Sequence, residues 1–188
     1  MISIIIICIA IIACFAFVIT VYNRLSRQRV LVGEGLSGVG SFLQQRNDVI
    51  PNMVEVVKGY AGHENNTLIE VTKWRNKSAA ATTTTEQVQA EAGLNKALVD
   101  LYSVTEQYPD LKANQNFLQL QNDLADIEEK INQSRRYYNG TVRQYNQSRV
   151  VFPQNIIAGM FGFNEAVFFK EDPAAAQAPK VSFNAGNS

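Results

Sequence analysis

The sequence contains very little cysteine and histidine. Cys8 and Cys14 are the only two cysteines, and His63 is the only histidine in 188 residues. Both cysteines lie in the opening apolar run, which excludes a disulfide framework or a cysteine metal site further along the chain. A zinc-protease helix needs two histidines, and no serine or cysteine has a histidine base nearby in the sequence. We therefore predict a protein that is not an enzyme and that holds no metal or cofactor.

The chain also lacks an excess of charge of either sign. It has 17 lysines and arginines against 17 aspartates and glutamates, so its formal net charge is zero. Because proteins that bind nucleic acid usually carry a basic surface, we expect no nucleic-acid partner.

A long uncharged run opens the sequence. From Ile2 to Val21 only Ser3 and Thr20 are overtly polar. Twenty helical residues rise about 30 Å, which matches the hydrocarbon core of a bilayer. A cleaved signal peptide would have a basic start and a small-residue cleavage site, and the residues before Cys14 only faintly resemble a lipoprotein cleavage box. We predict an uncleaved transmembrane anchor.

Three arginines follow the anchor directly, at Arg24, Arg27 and Arg29. Cytoplasmic flanks of membrane spans carry an excess of lysine and arginine. We therefore expect a single-pass protein with Met1 outside and the helical body in the cytoplasm.

A glycine-rich stretch, GEGLSGVG at residues 33–40, has the Gly-x-Gly-x-x-Gly spacing of a dinucleotide-binding turn. That motif needs a strand before it, whereas arginines and an apolar run precede this one. Instead, a stripe of positions three and four apart runs from Tyr22 to Tyr60, and it predicts one long helix with the glycines off its apolar side. Because glycine weakens a helix, we interpret the four glycines as a site of close helix contact or of local weakness.

Pro51 lies within this stripe, which keeps its phase on both sides. We therefore predict a kink at Pro51 and an end to the helix near residues 59–62. A second, shorter helix is expected to begin at Asn65 or Asn66 and to fade in the alanines at 79–81.

Thr83 and Glu86 fit a capping box for a third helix, which we expect to end in a turn at residues 108–110. A fourth helix is predicted from about Asn114 to Arg149, with apolar residues three and four apart as in a coiled coil. Its length is similar to that of the first helix beyond the anchor, which indicates that the two are antiparallel partners.

The sequence therefore predicts an all-α fold, in which an N-terminal transmembrane helix is followed by a long antiparallel bundle of about four to five helices. The predicted division is an anchor at 1–21, a bundle at 22–170 and a flexible tail at 171–188. Phe152-Pro153 should end the fourth helix. The apolar cluster at 156–169 should pack on the end of the bundle, or else contact the membrane surface or a neighbouring subunit.

Arg46 and Ser134 lie on apolar stripes, so we expect them to make buried polar contacts. The partner of Arg46 is predicted to be either Asp48 or a carboxylate of the fourth helix. The fourth-helix carboxylates lie off the stripe and are expected on a solvated face; they are Asp123, Asp126, Glu128 and Glu129.

Five ordered segments are together similar to the LemA family of bacterial proteins. They are YNRL at 22–25, RNDVIPNMVEVVKGYAGHE at 46–64, YPDLKANQNFLQLQNDL at 108–124, RRYYNGTVRQYN at 135–146 and FPQNIIAGMFGF at 152–163. The resemblance implies an anchored, all-helical protein of the bacterial cytoplasmic membrane, and it implies no defined reaction. One stretch departs from the family, because GEGLSGVGSFL replaces its usual glutamate, alanine, tryptophan and aspartate pattern.

We expect a structural protein that self-associates or scaffolds other membrane proteins at the bacterial envelope, with the lipid bilayer as its further partner. The predicted assembly contacts are Gly33, Gly35, Gly38, Gly40, Phe161, Phe163, Phe168 and Phe169. The alternative is an envelope sensor or a small-ligand-binding module, whose pocket would be lined by Tyr102, Tyr137, Tyr138 and Tyr145.

Overall fold

The computed structural model describes residues 1–61 and 65–169. Within these residues every regular element is a helix and no strand is present, which confirms the all-α prediction. The helices are α1 Ile2–Tyr60, α2 Asn65–Ala80, α3 Thr84–Thr105, α4 Pro109–Lys112, α5 Gln115–Val150 and α6 Gln154–Met160. His63 and the predicted tail at 171–188 lie outside the described residues.

One unbroken helix joins the apolar run to the bundle. α1 is 59 residues long, which corresponds to about 90 Å at the rise of an α-helix. Pro51 lies inside α1 and does not end it. The side chains of the apolar run face outward, and α1 is the one helix in the described part of the chain that is long and apolar enough to cross a membrane.

α5 runs antiparallel to α1 and is its main packing partner. Gln28 of α1 donates to the Ser148 hydroxyl of α5 at 2.9 Å, whereas Arg46, further from the span, donates to Glu128. α5 begins where the sequence predicts, because the Asn114 side chain accepts the N–H groups that open the helix, at 2.9 and 3.1 Å.

α2 and α3 form a hairpin over the half of α1 that is distant from the span. The predicted capping box is present at the start of α3, where the Thr83 hydroxyl accepts the Glu86 N–H. The backbone N–H groups of Thr82 and Thr83 donate to the Glu86 carboxylate and lower its pKa. The core of this half contains Ile50, Met53, Val57, Leu68, Val71, Leu94, Leu101, Leu111 and Phe117.

Two local predictions were wrong. The segment at 108–110 is not a simple turn, because Pro109 begins the one-turn helix α4, where a missing N–H carries no penalty. Gly35 was predicted to lie off the apolar side of α1, but it is buried, as are Val21, Leu25 and Gln28 on the same side of the helix. Next to the apolar run, the buried stripe of α1 is thus displaced by one residue from the stripe of apolar residues.

After α6, the chain returns along α5 as a docked segment, residues 163–169. Asn146 of α5 accepts the N–H of Ala166 at 2.9 Å and donates to its carbonyl at 2.8 Å. Asn139, two helical turns earlier, makes the same pair of bonds to Phe169, both at 2.9 Å. Two asparagines seven residues apart therefore hold this docked segment against α5.

Candidate functional site

A buried cluster of charged side chains lies where the four longest helices meet. Arg46 of α1 is only 1% exposed. Its guanidinium donates to Glu128 of α5 at 2.8 Å and to Asn95 of α3 at 3.1 Å, and it forms an ion pair with Glu91 of α3. A buried arginine is tolerated only with such partners, because an unpaired charge in the core is strongly destabilising.

Glu91 is the centre of this cluster, and its side chain is 4% exposed. Its carboxylate accepts from the Ser78 hydroxyl of α2 at 2.9 Å and from the Gln87 amide at 3.2 Å. The guanidinium of Arg135 on α5 lies 3.2 Å from the same carboxylate. One carboxylate thus links α1, α2, α3 and α5.

The cluster extends onto α2 through Asn47. The Asn47 amide donates to the Ser78 hydroxyl at 3.2 Å, and Arg75 Nε donates to the Asn47 carbonyl at 2.9 Å. Arg46 and Arg135 form ion pairs with Glu91 and Glu128 in this buried polar network, whereas Arg75 joins it through the main-chain carbonyl of Asn47. The arrangement fixes the relative positions of the helices.

An open groove lies beside the network, with Arg46 at its floor and α3 and α5 as its walls. It encloses about 340 Å³. The α3 wall includes Leu98, Val99 and Tyr102, and the α5 wall includes Leu124 and Glu128. Burial raises the pKa of the Tyr102 hydroxyl. Within residues 1–61 and 65–169, no three histidine, cysteine, aspartate or glutamate side chains come together as a metal site.

The four glycines predicted as assembly contacts differ in how closely other atoms surround them. A side chain at Gly35 would place its Cβ 3.2 Å from Tyr138 Cα and 3.4 Å from Thr141 Oγ1, so α1 and α5 are packed tightly there. At Gly33, Gly38 and Gly40 an added Cβ would meet nothing within 4 Å. Gly35 therefore serves the fold of one chain, whereas the other three face open space.

Of the four phenylalanines predicted as assembly contacts, two are buried within the chain and two are exposed. Phe163 and Phe169 are buried in the chain's own core, and the guanidinium of Arg135 lies 4.9 Å above the Phe169 ring. Phe161 and Phe168 are exposed. The Phe161 ring lies 5.0 Å from that of Tyr22, at the end of the span.

The four tyrosines suggested for a pocket do not meet in one. Tyr102 lines the groove and Tyr137 is exposed. The hydroxyls of Tyr138 and Tyr145 donate to the carbonyls of Val167 and Asn164, at 2.7 and 2.8 Å, and so hold the docked segment. Burial raises the pKa of both hydroxyls, although Arg29 and Arg149 partly oppose this at Tyr145.

Of the two partners suggested for Arg46, the fourth-helix carboxylate is right, since Asp48 instead accepts from Gln44 at 2.8 Å. Glu128 is accordingly only partly exposed, and its prediction as a simple solvated residue was wrong. Sequence reasoning missed Glu91. It occupies a position on the apolar stripe of α3 that also contains Val88 and Leu94, which is a usable signal for a buried charge.

A sequence profile of the LemA family matches residues 35–183 of this chain. The chain belongs to the LemA family. Among its relatives is Protein LemA of Metamycoplasma hominis, 29% identical over 148 residues, which are 78% of this chain and 68% of that protein.

Two further relatives are named as magnetosome proteins. Magnetosome protein MamQ of Magnetospirillum gryphiswaldense is 22% identical across 88% of this chain and 72% of its own length. Magnetosome protein MamQ 2 of Paramagnetospirillum magneticum is 33% identical over 85 residues, which are 45% of this chain and 31% of that protein. Family and relatives together support association with a membrane.

Proposed function

We propose that this LemA-family protein is a membrane-anchored, non-enzymatic scaffold that self-associates through the open face of α1 near the membrane. The observation that carries the proposal is the one-sided packing of this part of α1. Its buried face is occupied by α5 at Gly35, whereas Gly33 and Gly40 face open space and Leu36 is exposed. Small residues beside an exposed leucine allow another helix to approach closely.

The continuity of α1 supports a scaffold role in a second way. Because the span and the bundle share one helix, the bundle cannot swing freely on a loop beneath the membrane. The buried polar network fixes α2, α3 and α5 to the same helix. A rigid rod of this kind would hold a bound partner at a fixed distance from the bilayer. The partner would be a second copy of the chain or another membrane protein.

The orientation is part of the proposal. Arg24, Arg27 and Arg29 follow the span directly, and the positive-inside rule puts this flank in the cytoplasm. The open face of α1 would then lie just beneath the cytoplasmic leaflet of a bacterial cytoplasmic membrane.

Site-specific photo-crosslinking in intact membranes tests the scaffold proposal. A photoreactive residue at Leu36 should give an adduct of twice the chain mass. The same residue at Leu118, on α5 far from the span, is a matched control because both side chains are 42% exposed. Equal yields from both positions, or no adduct from Leu36, would contradict self-association through this face.

A second candidate function is binding of a small ligand in the groove above Arg46. Its volume of about 340 Å³ lies near the lower end for ligand pockets, and Arg46 Nε is buried without an acceptor among the described residues. Asn95 and Glu128 in the groove are already bonded to Arg46, which favours the scaffold. A ligand that raises the melting temperature of the wild type but not of Ala125→Phe, which fills the groove, would support this alternative.

A further inference from the structure

The end of the bundle nearest the span carries a concentration of exposed apolar side chains. Between residues 150 and 161, six such side chains face outward: Val150, Val151, Phe152, Ile156, Met160 and Phe161. Elsewhere on the bundle, exposed apolar side chains occur singly or in adjacent pairs, such as Val30 with Leu31 and Val167 with Phe168, as is normal at a surface in water. A concentrated apolar patch indicates a surface that is covered by something other than water.

The patch belongs to a short amphipathic unit. Ile156 and Met160 are four residues apart and so lie on one face of α6, and both are exposed. Ile157 and Ala158 are buried against α1. We name this unit, residues 150–161, the apolar collar.

The packing of α6 fixes the depth of the collar. Ile157 and Ala158 share an apolar cluster with Val21, and Val18 packs against that cluster. Val18 and Val21 form the last turn of the apolar run, whose length matches the hydrocarbon core of a bilayer. A helix that contacts this turn from the side lies within about 5 Å, one helical turn, of the hydrocarbon edge.

The path of α5 brings the rest of the collar to the same level. Ser148 of α5 bonds Gln28 of α1, and α5 then continues toward the span. Val151 and Phe152 follow Ser148 and therefore lie nearer the membrane than Gln28.

Basic side chains lie at the same level as the collar. Arg24 and Arg27 line a cleft together with Thr20 and Gln144. Neither arginine has an ion-pair partner within the described part of the chain. Apolar side chains at the same level as these arginines match the layer in which lipid phosphates meet acyl chains.

We infer that the apolar collar inserts into the interfacial layer of the bilayer that α1 crosses. Phe152, Ile156 and Met160 contact the upper acyl chains, and Arg24 and Arg27 contact lipid phosphates. The bundle is therefore held to the membrane by two elements. The span crosses the bilayer, and the collar lies in its interfacial layer. This inference concerns the lipid partner and does not depend on self-association through α1.

Fluorescence quenching by brominated lipids tests the inference on the full-length chain in vesicles. Trp74, the one native tryptophan, lies on α2 and supplies the baseline. A second tryptophan is introduced by Met160→Trp, where the side chain is 74% exposed, or by the conservative Phe152→Trp. Lipids brominated near the headgroup should remove most of the emission that either substitution adds.

Ile69→Trp is the control, because Ile69 is similarly exposed but lies on α2, far from the span. The emission that Ile69→Trp adds should not be quenched by the brominated lipids. Unquenched, water-exposed emission from both collar variants in protein that floats with the vesicles would overturn the inference. Unquenched but blue-shifted emission would also overturn it, since a protein partner would then cover the collar.

Discussion

Arg46 of α1 and Glu91 of α3 form an ion pair in which both side chains are almost completely removed from solvent. The pair is stabilised by further charged and polar neighbours, because Glu128 also binds Arg46 and Arg135 also binds Glu91. A charge pair of this kind fits only one register of the helices, since any slip would leave a charge buried without its partner. The pair therefore specifies the arrangement of the bundle.

Arg46→Ala should destabilise the bundle by about 3–5 kcal/mol, because it leaves Glu91 and Glu128 without their shared partner. The measurement is denaturant or thermal unfolding in detergent, followed by helical circular dichroism. Arg143→Ala is the matched control on α5, because Arg143 is exposed and should change the stability little. Equal stabilities of the two variants would show that the network does not hold the helices together.

Gly35→Leu should separate α1 from α5, because even its Cβ would lie 3.2 Å from the Tyr138 backbone. Gly140→Leu on α5, where an added Cβ meets nothing within 4 Å, should be tolerated and should gain up to about 1 kcal/mol of helix propensity. Thermal unfolding in detergent compares the two. If Gly35→Leu were as stable as Gly140→Leu, the close approach of the two helices would be refuted.

Asn146→Asp should release the docked segment. The substitution replaces the amide that donates to the Ala166 carbonyl with an oxygen that repels it, and an unsatisfied group of this kind costs about 1–3 kcal/mol. Hydrogen exchange at the Ala166 amide should then become faster by a corresponding factor. Gln147→Glu changes the neighbouring exposed residue and should leave this exchange rate unchanged. Unaltered exchange in Asn146→Asp would show that the asparagine does not hold the segment.

Stability should fall at alkaline pH because of buried tyrosines. Burial raises the pKa of the Tyr138 hydroxyl above its ordinary value of about 10. Its stabilising contribution is therefore complete below pH about 10 and is lost as pH rises through the raised pKa. Tyr138→Phe should make the alkaline fall in melting temperature shallower, whereas Tyr137→Phe at the exposed neighbour should not. Identical alkaline slopes for both variants and the wild type would contradict this assignment.

The helices were largely predictable because their signals are local. The capping box at Thr83 and Glu86 and the cap at Asn114 mark helix starts through contacts within a few residues. The spacing of apolar residues likewise predicts the buried face of α5 and that of α1 from Val39 to Val57. Between Val21 and Gly35 it fails, because most of the buried residues of α1 there lie one position from the predicted stripe.

The polar interior was only partly predictable, because its partners lie far apart in the chain. Arg46 can be identified as buried from its place on an apolar stripe, but its pairing with Glu91 depends on how the α2–α3 hairpin packs on α1. Gly35 was misplaced for a related reason. A glycine at a close helix crossing has no apolar side chain, so the pattern of apolar residues does not reveal that it is buried.

The mass of the full-length protein in detergent tests the scaffold proposal most directly. One chain has a mass of 20.9 kDa, and light scattering can separate the mass of protein from that of bound detergent. We expect a mass several times that of one chain, which Gly33→Leu together with Gly40→Leu should reduce by blocking close approach to the open face of α1. A wild-type mass equal to one chain would contradict self-association and would leave other membrane proteins as the partners to seek.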